Sequence, residues 1–363
     1  MISLIGMGSG RPESLTAQGL AALQSAGLIL GAKRLLEHLP AGCTDNCKAV
    51  YKPEEILACL AAQPDTDTAV LYSGDTGFYS GAAKLLPLLR VMGYSVRVLP
   101  GLSSVQLLAA AVGRPWQDWK LVSAHGRACD PVAEILAHPQ VFFLTGGGDT
   151  PATLCAKLTA AGLGAAHALV GEDLGTPAEA IRFGLARELA EQSFAPLSVL
   201  LIEREALPSR RTPGLPDDAF IRGAVPMTKQ EVRAAALAKL AVTPKDTLWD
   251  VGAGTGSVSV ELALAAPAGQ VYAVECDPEA CALIQQNREK FAAYNLTLIE
   301  GKAPDALDAL PAPDAVFIGG TKGNMDAVID AVLHKNPASR LCVAAIALET
   351  LSAAVTALTA HGL

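Results

Sequence analysis

Two glycine-rich segments of different design constrain this chain more than any other feature. Residues 2–10 read ISLIGMGSG, and residues 247–256 read TLWDVGAGTG. In each segment the glycines directly follow a short apolar run typical of a β-strand, at a point where backbone can approach a ligand closely. The chain has 363 residues, which is about two domains at ~150 residues each. The two loops therefore predict two ligand-binding domains.

Short apolar runs alternate with amphipathic stretches through residues 1–205, and this alternation favours an α/β fold. Strands are predicted at 2–5, 28–30, 68–72, 95–99, 119–122, 141–144, 167–170 and 197–202, with helices among others at 82–92, 103–112 and 150–160. Residues 206–220, which contain three prolines, predict a linker.

A second alternating series fills residues 221–363. Its predicted strands are 247–251, 270–275, 296–300, 314–318 and 340–347, and its predicted helices are 228–240, 257–264, 278–293, 324–333 and 349–360. Thr228, followed three residues later by Glu231, predicts a capping box at the start of the first of these helices.

The loop at 250–256 has the pattern Asp-x-Gly-x-Gly-x-Gly, formed by Asp250, Gly252, Gly254 and Gly256. A dinucleotide fingerprint requires glycines spaced G-x-G-x-x-G, and this loop does not have that spacing. Its own pattern is the one used to bind S-adenosylmethionine (SAM). Glu275, at the end of the next predicted strand, is placed to accept hydrogen bonds from two ribose hydroxyls. We therefore favour SAM, with a dinucleotide or a purely structural turn as the alternatives.

Residues 221–335 resemble the methyltransferase family of cobalamin biosynthesis that acts at carbon 15 of the corrin precursor. The resemblance rests on residues 227–233 (MTKQEVR), 248–261, 300–307 (EGKAPDAL) and 317–321 (FIGGT). It implies a Rossmann-like class I SAM methyltransferase domain with Ala303 in the cofactor site. Lys302 departs from the family, which often has an acidic residue at that position.

Four loops in the first half, at residues 6–16, 71–80, 99–105 and 170–179, each follow a predicted strand. In this order they resemble the tetrapyrrole methylase family across residues 1–205. That family binds folded SAM in a cleft between two α/β halves. By this resemblance the cofactor site would include Gly74, Asp75, Ser103, Ser104 and Gly146. The tetrapyrrole would face Gly8 and Gly10.

The whole chain resembles the family of fused precorrin-6Y C5,15-methyltransferases (decarboxylating). The resemblance implies two methyl transfers from SAM, to carbons 5 and 15, with loss of carbon dioxide from the ring C acetate to give precorrin-8. Residues 1–205 would methylate carbon 5, and residues 221–363 would methylate carbon 15 and decarboxylate. A class I domain usually has seven strands and only five are predicted here, so we expect a domain truncated at its C-terminus with an exposed fifth strand.

Methyl transfer to an electron-rich carbon depends more on alignment and exclusion of water than on acid–base groups. No catalytic residue is assigned, and Glu231 and His125 are the candidates. A substrate rich in carboxylates needs local cations. The residues expected to supply them flank the proposed clefts: Arg127, Arg222, Lys229 and Arg233.

The net charge of −8 and the absence of a basic run disfavour a nucleic-acid partner. No uninterrupted run of ~18 apolar residues predicts a membrane span. Without a leader or Cys-x-x-Cys pair, we expect a cytoplasmic protein with reduced thiols and no metal. We also expect a homo-oligomer. Three alternatives remain: a methyltransferase of RNA or of a translation factor, a non-catalytic corrinoid-precursor carrier, and, least favoured, a dehydrogenase.

Overall fold

The structure is a computed structural model that describes residues 1–126, 129–205 and 212–363. The chain divides into two compact units. The first comprises residues 1–129, 140–155 and 167–202, and the second comprises residues 130–139, 156–166 and 203–363.

The first unit contains two five-stranded sheets. The strands of one sheet are β1 (Ile2–Gly6), β2 (Leu28–Gly31), β3 (Cys47–Ala49), β4 (Thr68–Tyr72) and β5 (Val96–Leu99). They lie in the order β3-β2-β4-β1-β5 and are all parallel. The other sheet contains β6 (Lys120–Ser123), β7 (Gln140–Leu144), β8 (His167–Glu172), β9 (Ala180–Leu185) and β10 (Ser198–Glu203), in the order β6-β7-β10-β8-β9. Strand β9 runs antiparallel to β8.

The second unit is built on one parallel sheet in the order β13-β12-β11-β14-β15. Its strands are β11 (Thr247–Val251), β12 (Gln270–Glu275), β13 (Leu296–Glu300), β14 (Ala315–Ile318) and β15 (Arg340–Val343). Both faces are covered: Leu248 packs into one apolar cluster, and its neighbour Trp249 packs into another. Burial on both faces explains why these strands have nearly continuous apolar sequences.

Helices connect the strands in both units. In chain order they are α1 (Ala17–Gln24), α2 (Lys33–Leu36), α3 (Pro53–Ala62), α4 (Ala82–Val91), α5 (Ser104–Ala111), α6 (Pro131–Ala137), α7 (Pro151–Leu158), α8 (Ala186–Leu189), α9 (Gln230–Leu240), α10 (Ser257–Ala265), α11 (Pro278–Lys290), α12 (Met325–Lys335) and α13 (Leu348–Ala360). Across the three described ranges, no helix has the length and apolar character needed to cross a membrane.

The predicted α/β class, with two halves followed by a Rossmann-like domain, is confirmed. Three local predictions are wrong. Strands β3 and β9 were not predicted, and β15 ends at Val343 instead of continuing to residue 347. Helix α9 begins at Gln230 with Lys229 as its N-cap, so Thr228 forms no capping box. The carbonyl oxygen of Thr228 instead accepts a hydrogen bond from Arg233.

Candidate functional site

The glycine loop of the second unit joins β11 to α10 and adopts backbone angles that favour glycine. Gly252, Gly254 and Gly256 have φ values of +72°, +56° and +75°. A Cβ atom on Gly252 would lie 2.3 Å from the carbonyl oxygen of Gly320, on the loop after β14. The loops after β11 and β14 therefore touch through backbone atoms at this point, with no side chain between them.

Glu275 ends β12 with its carboxylate held by three backbone amides. Oε2 accepts from the amide of Gly254 at 2.9 Å, and Oε1 accepts from those of Cys276 at 2.7 Å and Asp277 at 3.0 Å. This geometry joins the glycine loop to the next strand and orients the carboxylate before any ligand arrives. Glu275 also borders a cavity of about 130 Å³.

The wall of this second-unit cavity combines backbone and a few polar side chains. Its lining residues come from the ends of β11 to β14 and the loops after them: Val251, Gly252, Val274, Glu275, Cys276, Gly301, Lys302, Ala303, Gly320, Thr321 and Lys322. Gly252, Glu275 and Ala303, which the sequence predicted to bind the cofactor, therefore come together here. Gly254 and Gly256, also predicted to bind the cofactor, lie on the same loop but do not border this cavity.

Asp250 lies beneath the loop, 1% exposed, and does not reach the cavity wall. Its Oδ2 accepts a hydrogen bond from the Ser259 hydroxyl, while its Oδ1 is buried without a partner. Burial raises the pKa of this carboxyl to about 7. Asp250 was predicted to be part of the cofactor loop, and the structure places it inside the fold, where it does not border the cavity.

Asn287 holds the glycine loop from the other side, and the sequence analysis missed it. Its Nδ2 donates to the carbonyl oxygens of Thr255 and Ile221, each at 3.0 Å, and its Oδ1 accepts from the Ile221 amide at 2.8 Å. The side chain is fully buried on α11. A buried amide whose oxygen and nitrogen are both paired fixes the backbone around it, so Asn287 positions the loop.

Arg233 is not a substrate residue, which corrects the sequence prediction. Its side chain is 0% exposed, and Nε donates to the fully buried Glu261 at 2.8 Å. Nη1 lies 2.8 Å from Asp217, and Nη2 donates to the carbonyl oxygen of Leu215 at 2.5 Å. All three nitrogens are used inside the unit, so the guanidinium ties chain segments together and does not face a ligand.

The other predicted residues around α9 are exposed and line neither described cavity. Arg222 precedes the helix, and Glu231 lies in its first turn. The Lys229 ammonium lies 3.7 Å from Asp217. Arg127 lies outside the described residues.

In the first unit, three strand ends converge on glycines. A Cβ on Gly101 would lie 2.4 Å from the carbonyl oxygen of Gly74, and one on Gly6 would lie 2.6 Å from the amide nitrogen of Gly101. Gly8 and Gly74 exchange backbone hydrogen bonds of 3.1 and 2.8 Å. The loops after β1, β4 and β5 therefore meet at one place with no room for side chains between them.

Asp75 and Ser103 shape the loops at this junction. The Asp75 carboxylate accepts from the amides of Gly77 at 2.8 Å and Gly101 at 3.0 Å, so it joins the loop after β4 to the loop after β5. Ser103 is the N-cap of α5 and forms a capping box with Gln106. Both predicted residues therefore hold the junction in place and also border the cleft described next.

The cleft of the first unit has a volume of about 370 Å³, within the range typical of small-molecule sites. Seven residues selected from the sequence border it: Gly8, Gly74, Asp75, Ser103, Ser104, His125 and Gly146. Gly10 lies outside its wall. A Cβ on Gly146 would lie 1.8 Å from Nδ1 of His125, so the imidazole packs directly on the loop after β7. Arg34, which the sequence analysis did not select, lines the same cleft.

Comparison with known proteins gives two family matches. The tetrapyrrole (corrin/porphyrin) methylases match residues 1–190, and the precorrin methyltransferase domain matches residues 218–363. These are the two families whose motifs the sequence contains, in the same order.

Two of the named relatives match nearly the whole chain, and a third matches its second part. The precorrin-6Y C(5,15)-methyltransferase (decarboxylating) of Sinorhizobium sp. is 35% identical over 339 residues, which are 92% of this chain and 81% of that protein. The protein of the same name from Mycobacterium tuberculosis (strain CDC 1551 / Oshkosh) is 32% identical over 97% of this chain and 89% of its own length. The cobalt-precorrin-6B C(15)-methyltransferase (decarboxylating) of Salmonella typhimurium is 46% identical over 141 residues, covering 38% of this chain and 72% of that protein.

The resemblance predicted from the motifs is thus confirmed. Two full-length matches and two family matches in the expected order show that the chain belongs to the family of precorrin-6Y C5,15-methyltransferases (decarboxylating), which use SAM.

Proposed function

We propose that this chain methylates a corrin precursor at carbons 5 and 15 with SAM and decarboxylates the ring C acetate, converting precorrin-6Y to precorrin-8. One observation carries the proposal: each unit has its own cavity bordered by a glycine-rich loop that a carboxylate side chain fixes to a neighbouring strand end. Two separate cavities suit two methyl transfers at different carbons.

The second-unit cavity fits SAM by the chemistry of its wall. Glycine at position 252 leaves backbone open to a ligand, because a Cβ there has no room. The Glu275 carboxylate, oriented by three amides, is suited to accept hydrogen bonds from the two hydroxyls of a ribose. Ala303 offers a small apolar surface for the adenine, and we propose that Gly252, Glu275 and Ala303 hold the cofactor.

The first-unit cleft supports a second SAM site on independent grounds. Gly74, Asp75, Ser103, Ser104 and Gly146 come from three different loops and border one cleft. The close packing of Gly6, Gly74 and Gly101 brings these loops together, and Gly74 borders that cleft without a side chain of its own. We propose that these loops hold SAM and that Gly8, on the loop after β1, faces the tetrapyrrole.

When bound, SAM supplies a methyl group on a sulfonium. Methyl transfer would form a new C–C bond at a carbon of the macrocycle as the S–C bond of the sulfonium breaks, and the methylated product would lose a proton or, at the acetate, carbon dioxide. The chain's contribution is to hold donor and acceptor in line and to exclude water. Rigid loops serve that purpose. Asp75 joins the loop after β4 to the loop after β5, and Glu275 joins the end of β12 to the glycine loop after β11.

We assign methylation of carbon 5 to residues 1–205, and methylation of carbon 15 with decarboxylation to residues 221–363, with 206–220 as the linker. The matches at residues 1–190 and 218–363 support these limits. Glu231 remains the candidate acid of the second domain from its place in the sequence; it is exposed on α9 and does not border the second-unit cavity. We further propose a homo-oligomer that acts in the cytoplasm without nucleic acid, and the net charge of −8 supports the last point.

The test begins with the number of SAM sites per chain, measured by calorimetry. We expect two, with Gly252→Ala removing one of them. Precorrin-6Y and SAM are then supplied, and the products are separated by mass. The intact chain should add two methyl groups and release carbon dioxide, whereas Gly252→Ala should add one methyl group and release none.

Other outcomes would favour the alternatives. A folded chain that binds no SAM but retains the tetrapyrrole would be a carrier. Methylation of RNA or of a translation factor, with precorrin-6Y left unchanged, would establish the rival methyltransferase function. A chain that binds NAD in place of SAM would be a dehydrogenase.

A further inference from the structure

Arg34 lies in the first-unit cleft beside the loop that follows β1. It belongs to α2, and its Nη2 donates to the Ser73 hydroxyl at 2.7 Å. It borders the cleft together with Gly8, Ser9 and Ser73. We infer that Arg34 binds a side-chain carboxylate of the tetrapyrrole and so sets the orientation of the macrocycle. This inference rests on the proposed function and adds a residue to it.

The charge of Arg34 is not balanced by any carboxylate in the described part of the chain. Within residues 1–126, 129–205 and 212–363, no carboxylate forms an ion pair with it. Asp75 and Asp173 border the same cleft, and neither forms an ion pair with Arg34 within the described residues. Ser73 is neutral and accepts only one of the five N–H groups of a guanidinium.

Arg34 is half-buried, and this burial lowers the pKa of its guanidinium because no negative charge compensates for the lost water. Partly buried cations are normally paired. An arginine that borders a cleft with free donors can bind a carboxylate through two parallel hydrogen bonds.

The guanidinium of Arg34 lies beside the glycine loop that follows β1. A Cβ on Gly10 would lie 3.6 Å from Nη1 of Arg34, so the guanidinium lies against the loop of residues 8–10 with no side chain between them. Arg34 contacts both the 8–10 loop and, through Ser73, the loop that carries Gly74. SAM also carries a carboxylate, so two ligands offer the same partner chemistry. We assign the partner to the tetrapyrrole because Gly8 is proposed to face the substrate, and S-adenosylhomocysteine binding distinguishes the two carboxylates.

The test uses the full chain and uroporphyrin, a tetrapyrrole with a carboxylate on every side chain, as the probe. Its dissociation constant is measured by fluorescence for the wild type, Arg34→Met, Arg34→Lys and Lys33→Met. Lys33 is the matched control because it is the exposed neighbour of Arg34 on α2 and does not border the cleft. S-adenosylhomocysteine binding is measured on the same samples by calorimetry.

We expect Arg34→Met to weaken uroporphyrin binding about tenfold or more, which is the effect of one lost charge-assisted hydrogen-bonded pair. Arg34→Lys should lose less, Lys33→Met should bind like the wild type, and S-adenosylhomocysteine affinity should not change. If Arg34→Met does not fold, the comparison of Arg34→Lys with Lys33→Met decides.

Four results would overturn the inference. Equal weakening by Arg34→Met and Lys33→Met would indicate a general charge effect. Weaker binding of S-adenosylhomocysteine with unchanged uroporphyrin would assign Arg34 to the cofactor carboxylate. No change in either ligand, or a wild type that does not bind uroporphyrin, would remove the anchor altogether. A wild type that binds uroporphyrin but not S-adenosylhomocysteine would instead contradict the proposed function, and the Arg34 comparison would still stand.

Discussion

The buried pair of Arg233 and Glu261 supports a quantitative stability prediction for the second unit. Both side chains are 0% exposed. Besides the guanidinium, the Glu261 carboxylate accepts from the amides of Gly214 at 2.6 Å and Leu215 at 3.2 Å. Glu261→Gln keeps the shape but removes the charge, and it places an N–H group where these donors need an acceptor.

Removing one partner of a buried pair costs about 3–5 kcal/mol. Asp217, 2.8 Å from Nη1 of Arg233 and 27% exposed, keeps part of the compensation. We therefore expect the lower value, about 3 kcal/mol of unfolding free energy. For a domain of this size 1 kcal/mol corresponds to ~2–4 °C, so the midpoint of the second unit should fall by about 6–12 °C.

The assay is thermal and urea unfolding of the full chain, followed by far-ultraviolet circular dichroism and by calorimetry to separate the two units. Glu231→Gln is the matched control, because it makes the same chemical change at an exposed position and should stay within about 0.5 kcal/mol of the wild type. Replacing both partners with methionine should recover part of the loss. A Glu261→Gln cost below about 1 kcal/mol, or equal to that of Glu231→Gln, would refute this reasoning.

Three further outcomes are expected. Gly252→Ala should remove SAM binding from the second unit, because the new Cβ would lie 2.3 Å from the carbonyl oxygen of Gly320. Gly323→Ala is the control: its φ is also positive, at +91°, but its surroundings are open, so both SAM sites should remain. The number of SAM sites per chain, measured by calorimetry, distinguishes the two variants. Asn287→Ala should weaken that site about tenfold by releasing the loop while leaving the first-unit site unchanged, and equal affinities would exclude the role. Burial raises the pKa of Asp250 from 3.8 to about 7, so the native state binds this proton more tightly than the unfolded chain. The contribution of Asp250 to the wild-type free energy of unfolding should therefore fall as pH rises from about 4 to about 7, and Asp250→Asn should not show this fall. Parallel curves of unfolding free energy against pH for the two proteins would contradict the prediction.

The limits of β11, β12 and β13 in the second unit are those predicted from the sequence. Strands β11 and β12 lie inside the sheet and contribute buried side chains to the apolar clusters on both of its faces, so their apolar runs coincide with the strands. Strand β13 lies at the edge of the sheet and is only partly buried. Strand β9, the antiparallel partner of β8, was missed because Arg182 and Gly184 interrupt its apolar residues and leave no continuous apolar run.

The site residues divide in the same way. Glycines and acids at strand ends, such as Gly252 and Glu275, are predictable because the carboxyl ends of neighbouring parallel strands lie side by side at the same end of the sheet. Arg233 was assigned to the substrate because a sequence shows its charge but not its burial, and its partner Glu261 is distant along the chain. Asn287 was missed for a related reason: a polar residue in a helix gives no sign that it is buried against a loop.

The double attachment of the second glycine loop also bears on the thermodynamics of binding. Glu275 holds the loop at Gly254, and Asn287 holds it at Thr255, so its backbone is ordered before any ligand arrives. The entropy lost in ordering this loop belongs to the folding reaction, and little of it remains to oppose ligand association. Amide hydrogen exchange at Gly254 should accordingly be slow in the free protein and change little when the site is saturated with ligand, as expected for a preorganised binding site.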